Sequence, residues 1–468
     1  STFSKKVGIP SYAEERPDLV LRNATIVGAG GGDAAPSTAD RSSSSGRDTD
    51  EESETVDILI RDGRIAEIGP SGGLGNGAVS ELPEIDCTDR LVSPGWFDMH
   101  VHLREPGFEH KETIETGSRA AAAGGFTGVA CMPNTDPPIH TRDVVEYVIE
   151  QAEDLPVDVH PIACVSKDRA GEQLAEMAEM VEVGAVAFSD DGAPVQHAGL
   201  MRRALEYSAM LDRPVINHME ELTLNPEGHM HEGQVAARLG LDGIPGSSED
   251  VMVARDCLLA EDTGGALHVA HISTARSVDL VRRAKSRGVE VTAEVCTHHF
   301  TLTDEAVEST DFSTHTKMHP PLRSREDVEA IKEGLADGTI DAICTDHAPH
   351  AGHEKEVAFT HAPFGIIGLE TAWGLTVREL VEPGLLSMEE ALEKLIAAPR
   401  RILRLPVPEL AEGAPAELTV FDADSRWTFE GRHIRSKSRN SPFVGSDLQG
   451  RVYGTYHHGQ WVSSQVDE

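Results

Sequence analysis

In PGWFDMHVHLREPG, residues 94–107, an acid (Asp98), two imidazoles (His100, His102) and a guanidinium (Arg104) fall on alternate positions. Period-two spacing aims such side chains at one face of an extended strand. Two imidazoles directed at one point form a metal-ligand pattern, because imidazole suits borderline divalent cations such as Zn²⁺. A guanidinium beside them can hold a carboxylate through two parallel hydrogen bonds. Ligand-type residues recur downstream: Asp190 and Asp191 in AVAFSDD, His218 in PVINHME, His271 in ALHVAHIS and Asp346 in DAICTDHAP. Each alone is commonplace, since single histidines mostly serve as hydrogen-bonded structural groups and paired acids as turns or caps. Together with the first pair they supply four imidazoles and carboxylates enough for two ions with one carboxylate shared.

The segments that carry these residues are apolar and strand-like. Eight of them occur in order: WFDMHVHL, FTGVACMPN, VDVHPIACV, AVAFSDD, PVINHME, ALHVAHIS, VEVTAEVCTHH and DAICTDHAP. Helical patterns follow most of them, including RDVVEYVIEQAED, EQLAEMAEMVEVG, LMRRALEYSAML, SVDLVRRAKSRG and SREDVEAIKEGLADG. Strands alternating with helices predict an α/β chain folded as a (β/α)8 TIM-type barrel over residues 93–404, with the ligand-type residues at the C-terminal strand ends. Short strands lie outside it: DLVLRNATIVG and VDILIRDGRIAEIG before, AELTVFDAD, WTFEG and GRVYGTYHHGQWV after. They predict one small composite β domain built from residues 1–92 and 405–468. Residues 30–55, rich in Gly, Ser and acid, have little to bury and are expected to be a disordered insertion.

Acids dominate the charge: 79 Asp and Glu against 41 Lys and Arg, of which only 10 are Lys, give a formal net charge of −38. Such a surface repels nucleic acid and anionic membranes, which excludes both as partners, and it is the bias that keeps a protein hydrated in concentrated salt. A halophilic protein is therefore expected. The six cysteines show no CxxC spacing and are expected to be buried free thiols. STFSKKVGIPSYAEERPDLV lacks the apolar centre of a secretory leader, and no stretch reaches the roughly 18 apolar residues of a membrane span. The expected location is the cytoplasm.

Longer stretches carry a family resemblance. DMHVHLREPG, GFTGVACMPNTDPP, VAFSDDG, KMHPPLR, ICTDHAPH and APFGIIGLET resemble the signatures of class I dihydroorotases, in the amidohydrolase superfamily, over residues 92–403. The resemblance implies two Zn²⁺ ions per chain: His100, His102 and Asp346 on the first, His218 and His271 on the second. Much of the superfamily bridges its ions with a carboxylated lysine, but this chain offers FSDD, and an aspartate takes the bridging place with a hydroxide, Asp191 first and Asp190 the weaker candidate. Asp346 is implied as general acid and base, and Asp98 as support for the strand's histidines. Arg104, Asn134 and His350 would hold the substrate carboxylate; Ala362, Pro363 and Gly365 would close over its ring. His319 stands where the family usually has the asparagine of NPPLR, which contacts the ring.

The implied reaction is the reversible cyclisation of N-carbamoyl-L-aspartate to L-dihydroorotate in pyrimidine biosynthesis, by a homodimer able to associate with aspartate transcarbamoylase. Two alternatives stay open: a hydantoinase- or allantoinase-like cyclic amide hydrolase, and a non-catalytic barrel that scaffolds aspartate transcarbamoylase. Arg104 and FSDDG weigh against the first, and the complete ligand set against the second. His298, His299 and His347 are expected in supporting roles. His197, His229, His231, His353, His361, His457 and His458 lie in loop-like or terminal segments and are expected to be solvated.

Overall fold

The computed structural model describes residues 18–28, 55–74, 79 and 81–464; the expected insertion at 30–55 lies outside them except for Thr55. Eight parallel strands form the barrel: β1 (Trp96–Val101), β2 (Phe126–Cys131), β3 (Asp158–Ala163), β4 (Ala187–Phe188), β5 (Val215–Asn217), β6 (Leu267–Val269), β7 (Val291–Cys296) and β8 (Ala342–Cys344). Each pairs with the next in sequence. The ring closes between β8 and β1, where Val101 bridges His347 and the His102 amide donates to the His347 carbonyl at 2.8 Å. Helices on the outside cover the strands, so a strand such as β2 is buried along its whole length. That is why these segments read as nearly continuous apolar runs.

Phe97, Met99, Ile162, Ala187, Ile216, Ala270 and Ala342, contributed by or adjoining different strands, pack into one cluster that fills the barrel. Ile402 and Leu403, at the end of the helix Met388–Ile402, join it. The core is thus a solid plug on which the strand ends stand, not a pore.

A second eight-stranded sheet draws on both terminal segments. Its main path runs Gln460–Ser463, Asp447–His457, Leu418–Thr428, Leu91–Pro94, Leu19–Ile26, Val56–Arg61 and Arg64–Pro70, and Glu84–Asp86 pairs with Leu19–Ile26. The stretch Leu91–Pro94 runs through Gly95 directly into β1. A Cβ on Gly95 would lie 2.0 Å from the Thr127 hydroxyl, so only glycine permits the sheet and barrel to approach there. Arg400, almost wholly buried, ties the junction by donating to the Gly95 carbonyl (2.8 Å) and to Glu417 (2.5 Å). Trp96 packs against Phe126, Trp373 and Phe421 at the same seam.

Two expected elements differ. AELTVFDAD and WTFEG are parts of a single strand, Leu418–Thr428, whose pairing slips between Asp422 and Arg426. Asp422 holds that irregularity by accepting from the Ser425 amide (3.1 Å) and the Tyr453 hydroxyl (2.7 Å). The helix expected over EQLAEMAEMVEVG is confined to Met177–Glu182, because Leu174 pairs back on Ser166 and keeps the preceding residues extended. All six cysteines are free and buried, as expected.

Asp57 is a fully buried charge of the small sheet. It accepts from Arg22 (2.7 Å) and from the amides of Asn23 (3.0 Å) and Gly72 (2.9 Å). Burial alone would raise its pKa, but these donors prevail and hold it below the ordinary carboxylate value. A depressed folded pKa stabilises fully above the unfolded value of about 3.9, and that stabilisation fades as pH falls through the folded pKa. Asp57→Asn should cost about 1–3 kcal/mol in denaturant unfolding at neutral pH. The deficit against wild type should shrink below about pH 4.

Candidate metal centre and active site

His100 is the next-to-last residue of β1, just before Val101, and His102 follows the strand; Asp191 follows β4, His218 follows β5, His271 follows β6 and Asp346 follows β8. All six side chains are buried at one end of the barrel. The His102 ring nitrogen Nε2 lies 2.9 Å from Asp346 Oδ1 and 3.6 Å from Asp191 Oδ2. His100 Nε2 is 3.6 Å from both Asp191 Oδ1 and Asp346 Oδ1. His218 Nδ1 and His271 Nε2 stand 2.9 Å apart, each 3.7 Å from Asp191 Oδ1. Asp191 is the centre of the group, touching both pairs of imidazoles.

The contacts at 3.6–3.7 Å are too long for hydrogen bonds and suit cations better. His100 Nε2 and Asp191 Oδ1 are buried and have no hydrogen-bond partner. Two ligands of one tetrahedral zinc sit roughly 3.4 Å apart, given bonds of about 2.0–2.1 Å. His100, His102 and Asp346 offer one set of donor atoms within 4.8 Å of one another, and His100, Asp191 and His271 another. The electrostatics agree. Burial disfavours charge on His100 and His218, yet neighbouring carboxylates, Glu294 for His100 and Asp191 for His218, lift both to about 10. For Asp191 burial works the other way, but His218 and His271 hold it well below the ordinary range. A pocket that draws protons onto buried imidazoles is a pocket built for positive charge.

The backbone bends sharply to present this set. Arg104, His271 and Asp346 sit at φ of 65°, 32° and 46°, the left-handed region, at about 1–3 kcal/mol each. In β1 the pairing with β2 slips between Asp98 and Val101, a bulge that interrupts strict alternation. Asp98 therefore does not share the imidazoles' task. It accepts from the Thr345 hydroxyl (2.5 Å), the Thr345 amide (3.2 Å) and the His100 amide (3.1 Å), stitching β1 to β8. The ring contact expected of it belongs to Glu294 of β7, whose Oε1 lies 2.5 Å from His100 Nδ1. Asn134 does the same for His102, at 2.8 Å from Nδ1.

Asp190 points elsewhere as well. It accepts from the amides of Val165 and Ser166 at 2.9 and 3.1 Å and bonds the Ser166 hydroxyl, which leaves Asp191 alone at the centre.

Residues 89–277 match the family described as dihydro-orotase-like. A dihydroorotase from Pelotomaculum thermopropionicum is 53% identical over 409 residues, 87% of this chain and 94% of the relative. One from Syntrophus aciditrophicus is 50% identical over 412 residues, with the same coverage. The chain belongs to the dihydroorotase family. Among solved structures it resembles an L-hydantoinase from Arthrobacter aurescens, at 25% identity and a TM-score of 0.79 over 96% of this chain and 97% of that one. A D-hydantoinase structure at 22% identity and a TM-score of 0.75 shares the fold.

Around the dihydroorotase-family centre lie the remaining expected residues. The Arg104 guanidinium donates to the Pro349 carbonyl at 3.1 Å, and burial pushes its pKa down to about 10 against the pull of Asp346 and Asp191. His350 contacts the Phe364 carbonyl at 2.8 Å. Burial, then Arg104, lowers its pKa to about 3, so the ring is neutral. Beyond it, Ala362 is buried, the Pro363 carbonyl accepts from the Lys355 ammonium (2.7 Å), and the Gly365 amide donates to the Lys317 carbonyl (3.0 Å). These bonds pin the loop between His350 and Ile366 to the barrel.

His319 stacks on Phe364, ring centroids 4.7 Å apart, and reaches Glu220 at 2.9 Å. Glu220 also lies 3.4 Å from His218, so one buried carboxylate joins the unusual histidine to the candidate ligand set. Glu220 and Glu294 are the residues that sequence reasoning missed. An acid inside the apolar strand VTAEVC was the available sign of Glu294; HMEE, after the ligand histidine, was that of Glu220.

Removing the carboxylate behind a metal-ligating imidazole typically costs 10–100-fold in metal affinity. Glu294→Gln should therefore retain zinc 10–100-fold less tightly, measured by competition with a chromogenic chelator.

Proposed function

We propose that the chain is a dihydroorotase that interconverts N-carbamoyl-L-aspartate and L-dihydroorotate with two Zn²⁺ ions, for pyrimidine biosynthesis. The observation that carries this reading is the coincidence of relatives named dihydroorotase at about half identity with a buried donor set centred on Asp191 and flanked by Arg104. In it, His100, His102 and Asp346 would hold one ion, His218 and His271 the other, and Asp191 both. Bound there, the ions supply Lewis acidity, activating water and polarising a carbonyl.

The side chains do the rest. Arg104, Asn134 and His350 fix the substrate's free carboxylate, which orients the ring toward Asp346. His319 and the backbone of Ala362, Pro363 and Gly365 bind the ring itself. In hydrolysis Asp346 accepts the proton of the attacking water and delivers it to the departing amide nitrogen. In the biosynthetic direction the ureido nitrogen attacks the β-carboxyl group and one water leaves. Burial would raise the pKa of Asp346, but the contacts with His102 and His100 lower it to about 2, which leaves the carboxylate ionised and able to accept a proton.

The zinc-loaded protein in concentrated KCl should hydrolyse L-dihydroorotate, followed by loss of ring absorbance, and leave hydantoin and allantoin untouched. Asp346→Ala should lower kcat by about 10²–10⁴-fold, the usual worth of a positioned acid–base group. Turnover of hydantoin instead would move the assignment to the hydantoinase-like alternative. Absence of turnover on all three substrates would favour the scaffold.

Salt adaptation belongs to the same reading, supported by the net charge of −38. The Debye length shrinks from about 30 Å at 0.01 M to about 3 Å at 1 M salt, and dilution restores the repulsion among surface carboxylates. The melting temperature and activity should both fall on transfer from molar KCl to dilute buffer. Among the described residues no helix is long and apolar enough to cross a membrane. A cytoplasmic homodimer, able to associate with aspartate transcarbamoylase, completes the proposal on the family resemblance; sedimentation with and without that enzyme tests it.

A further inference from the structure

The second histidine-rich cluster lies far along the strand direction from the active site. Asp158 is the first residue of β3, at the opposite end of the strands from the metal-ligand set. His457 ends the strand Asp447–His457, and His458 with Gly459 makes the turn into Gln460–Ser463. The expectation that both histidines are solvated fails for His457, which is 7% exposed. Its Nε2 lies 3.0 Å from Asp158 Oδ2, while His458 Nε2 lies 2.6 Å from Oδ1 of the same carboxylate. The two rings face each other, centroids 3.8 Å apart.

We propose that Asp158, His457 and His458 form a further metal site, for a zinc-class divalent cation, that clips the C-terminal hairpin onto the barrel. Two imidazole nitrogens and a carboxylate oxygen within 4.8 Å of one another are a His₂–carboxylate donor set. Ligands around one tetrahedral ion sit roughly 3.4 Å apart, so the two contacts need to open by about 0.4 and 0.8 Å to admit one. Asp158 and His458 are partly exposed, which leaves an entry path and room for water at the remaining coordination positions.

The turn provides an independent reason. His458 at φ 49° and Gly459 at φ 75° are the left-handed pair of a two-residue hairpin turn, where Asn-Gly is the favoured choice. A histidine there accepts backbone strain that asparagine would avoid, and the outcome is a second imidazole on Asp158. The hairpin is already seated against the same region, since Gln460 donates to the Asp154 carbonyl at 2.8 Å. His160, two residues along β3 and therefore on the same face as Asp158, adds a third imidazole nearby. The strongly acidic chain concentrates cations around it.

The test is equilibrium dialysis of the intact, zinc-loaded enzyme against micromolar free Zn²⁺, with bound zinc counted per chain. Wild type should hold one more zinc than His458→Asn, a variant whose side chain suits the turn, and one more than His457→Gln. Added Zn²⁺ should raise the melting temperature of wild type more than that of either variant, with dihydroorotate hydrolysis equal in all three. Because the comparison is a difference between proteins, the number of ions at the active site cancels. Equal zinc content in wild type and His458→Asn, or an equal melting shift, would overturn the proposal.

Discussion

The structure depends on a buried excess of negative charge at the C-terminal rim of the barrel. Asp191, Asp346 and Glu294 are held away from water beside four imidazoles, and carboxylates so placed are tolerable only when positive charge accompanies them. Protons on His100 and His218, or cations between the imidazoles, meet that demand. The surrounding design serves to keep the charges where they are. The Asp98 bonds seal the β8–β1 seam immediately beneath the ligands, and Glu294 and Asn134 each fix the outer nitrogen of a β1 histidine. A ligand set this tightly supported is rigid, which metal geometry requires.

Rigidity has a cost in the backbone. Three positions of the candidate site, Arg104, His271 and Asp346, adopt left-handed conformations that none of these residue types prefers. The bulge in β1 is the same economy in another form, because it frees the histidines from the alternation that Phe97 and Met99 follow into the barrel core. A densely packed barrel and a second sheet locked on through Gly95, Arg400 and Trp96 over-determine those conformations. The composite sheet therefore contributes to the site indirectly, by fixing the start of the strand on which the first ligands stand.

Much was legible from local pattern. Apolar runs placed eight strands, and the His or Asp at the ends of several of them placed the candidate site, since parallel barrel strands are buried on both faces and active-site residues gather at one rim. The terminal strands were legible too, although the break between AELTVFDAD and WTFEG was not, because Asp422 holds an irregularity within one strand that reads locally as a turn. The missed contacts cross the chain. Glu294 meets His100 across 194 residues, and Glu220, two residues from His218, reaches His319 only in the folded chain.

By itself, then, the sequence determined the donor types, the spacing that pairs His100 with His102, the paired acids of FSDD, and the acidic surface. Those are properties of residue chemistry and period, which one chain carries without folding. Tertiary structure alone decided that Asp191 faces the ligands while Asp190 caps a neighbouring loop, that Asp98 serves the barrel seam, and that His457 and His458 meet Asp158. Each of those choices turns on a side-chain direction set by a bulge, a bent backbone or a partner far away in the chain. Closure of the barrel, rather than any local preference, fixes them.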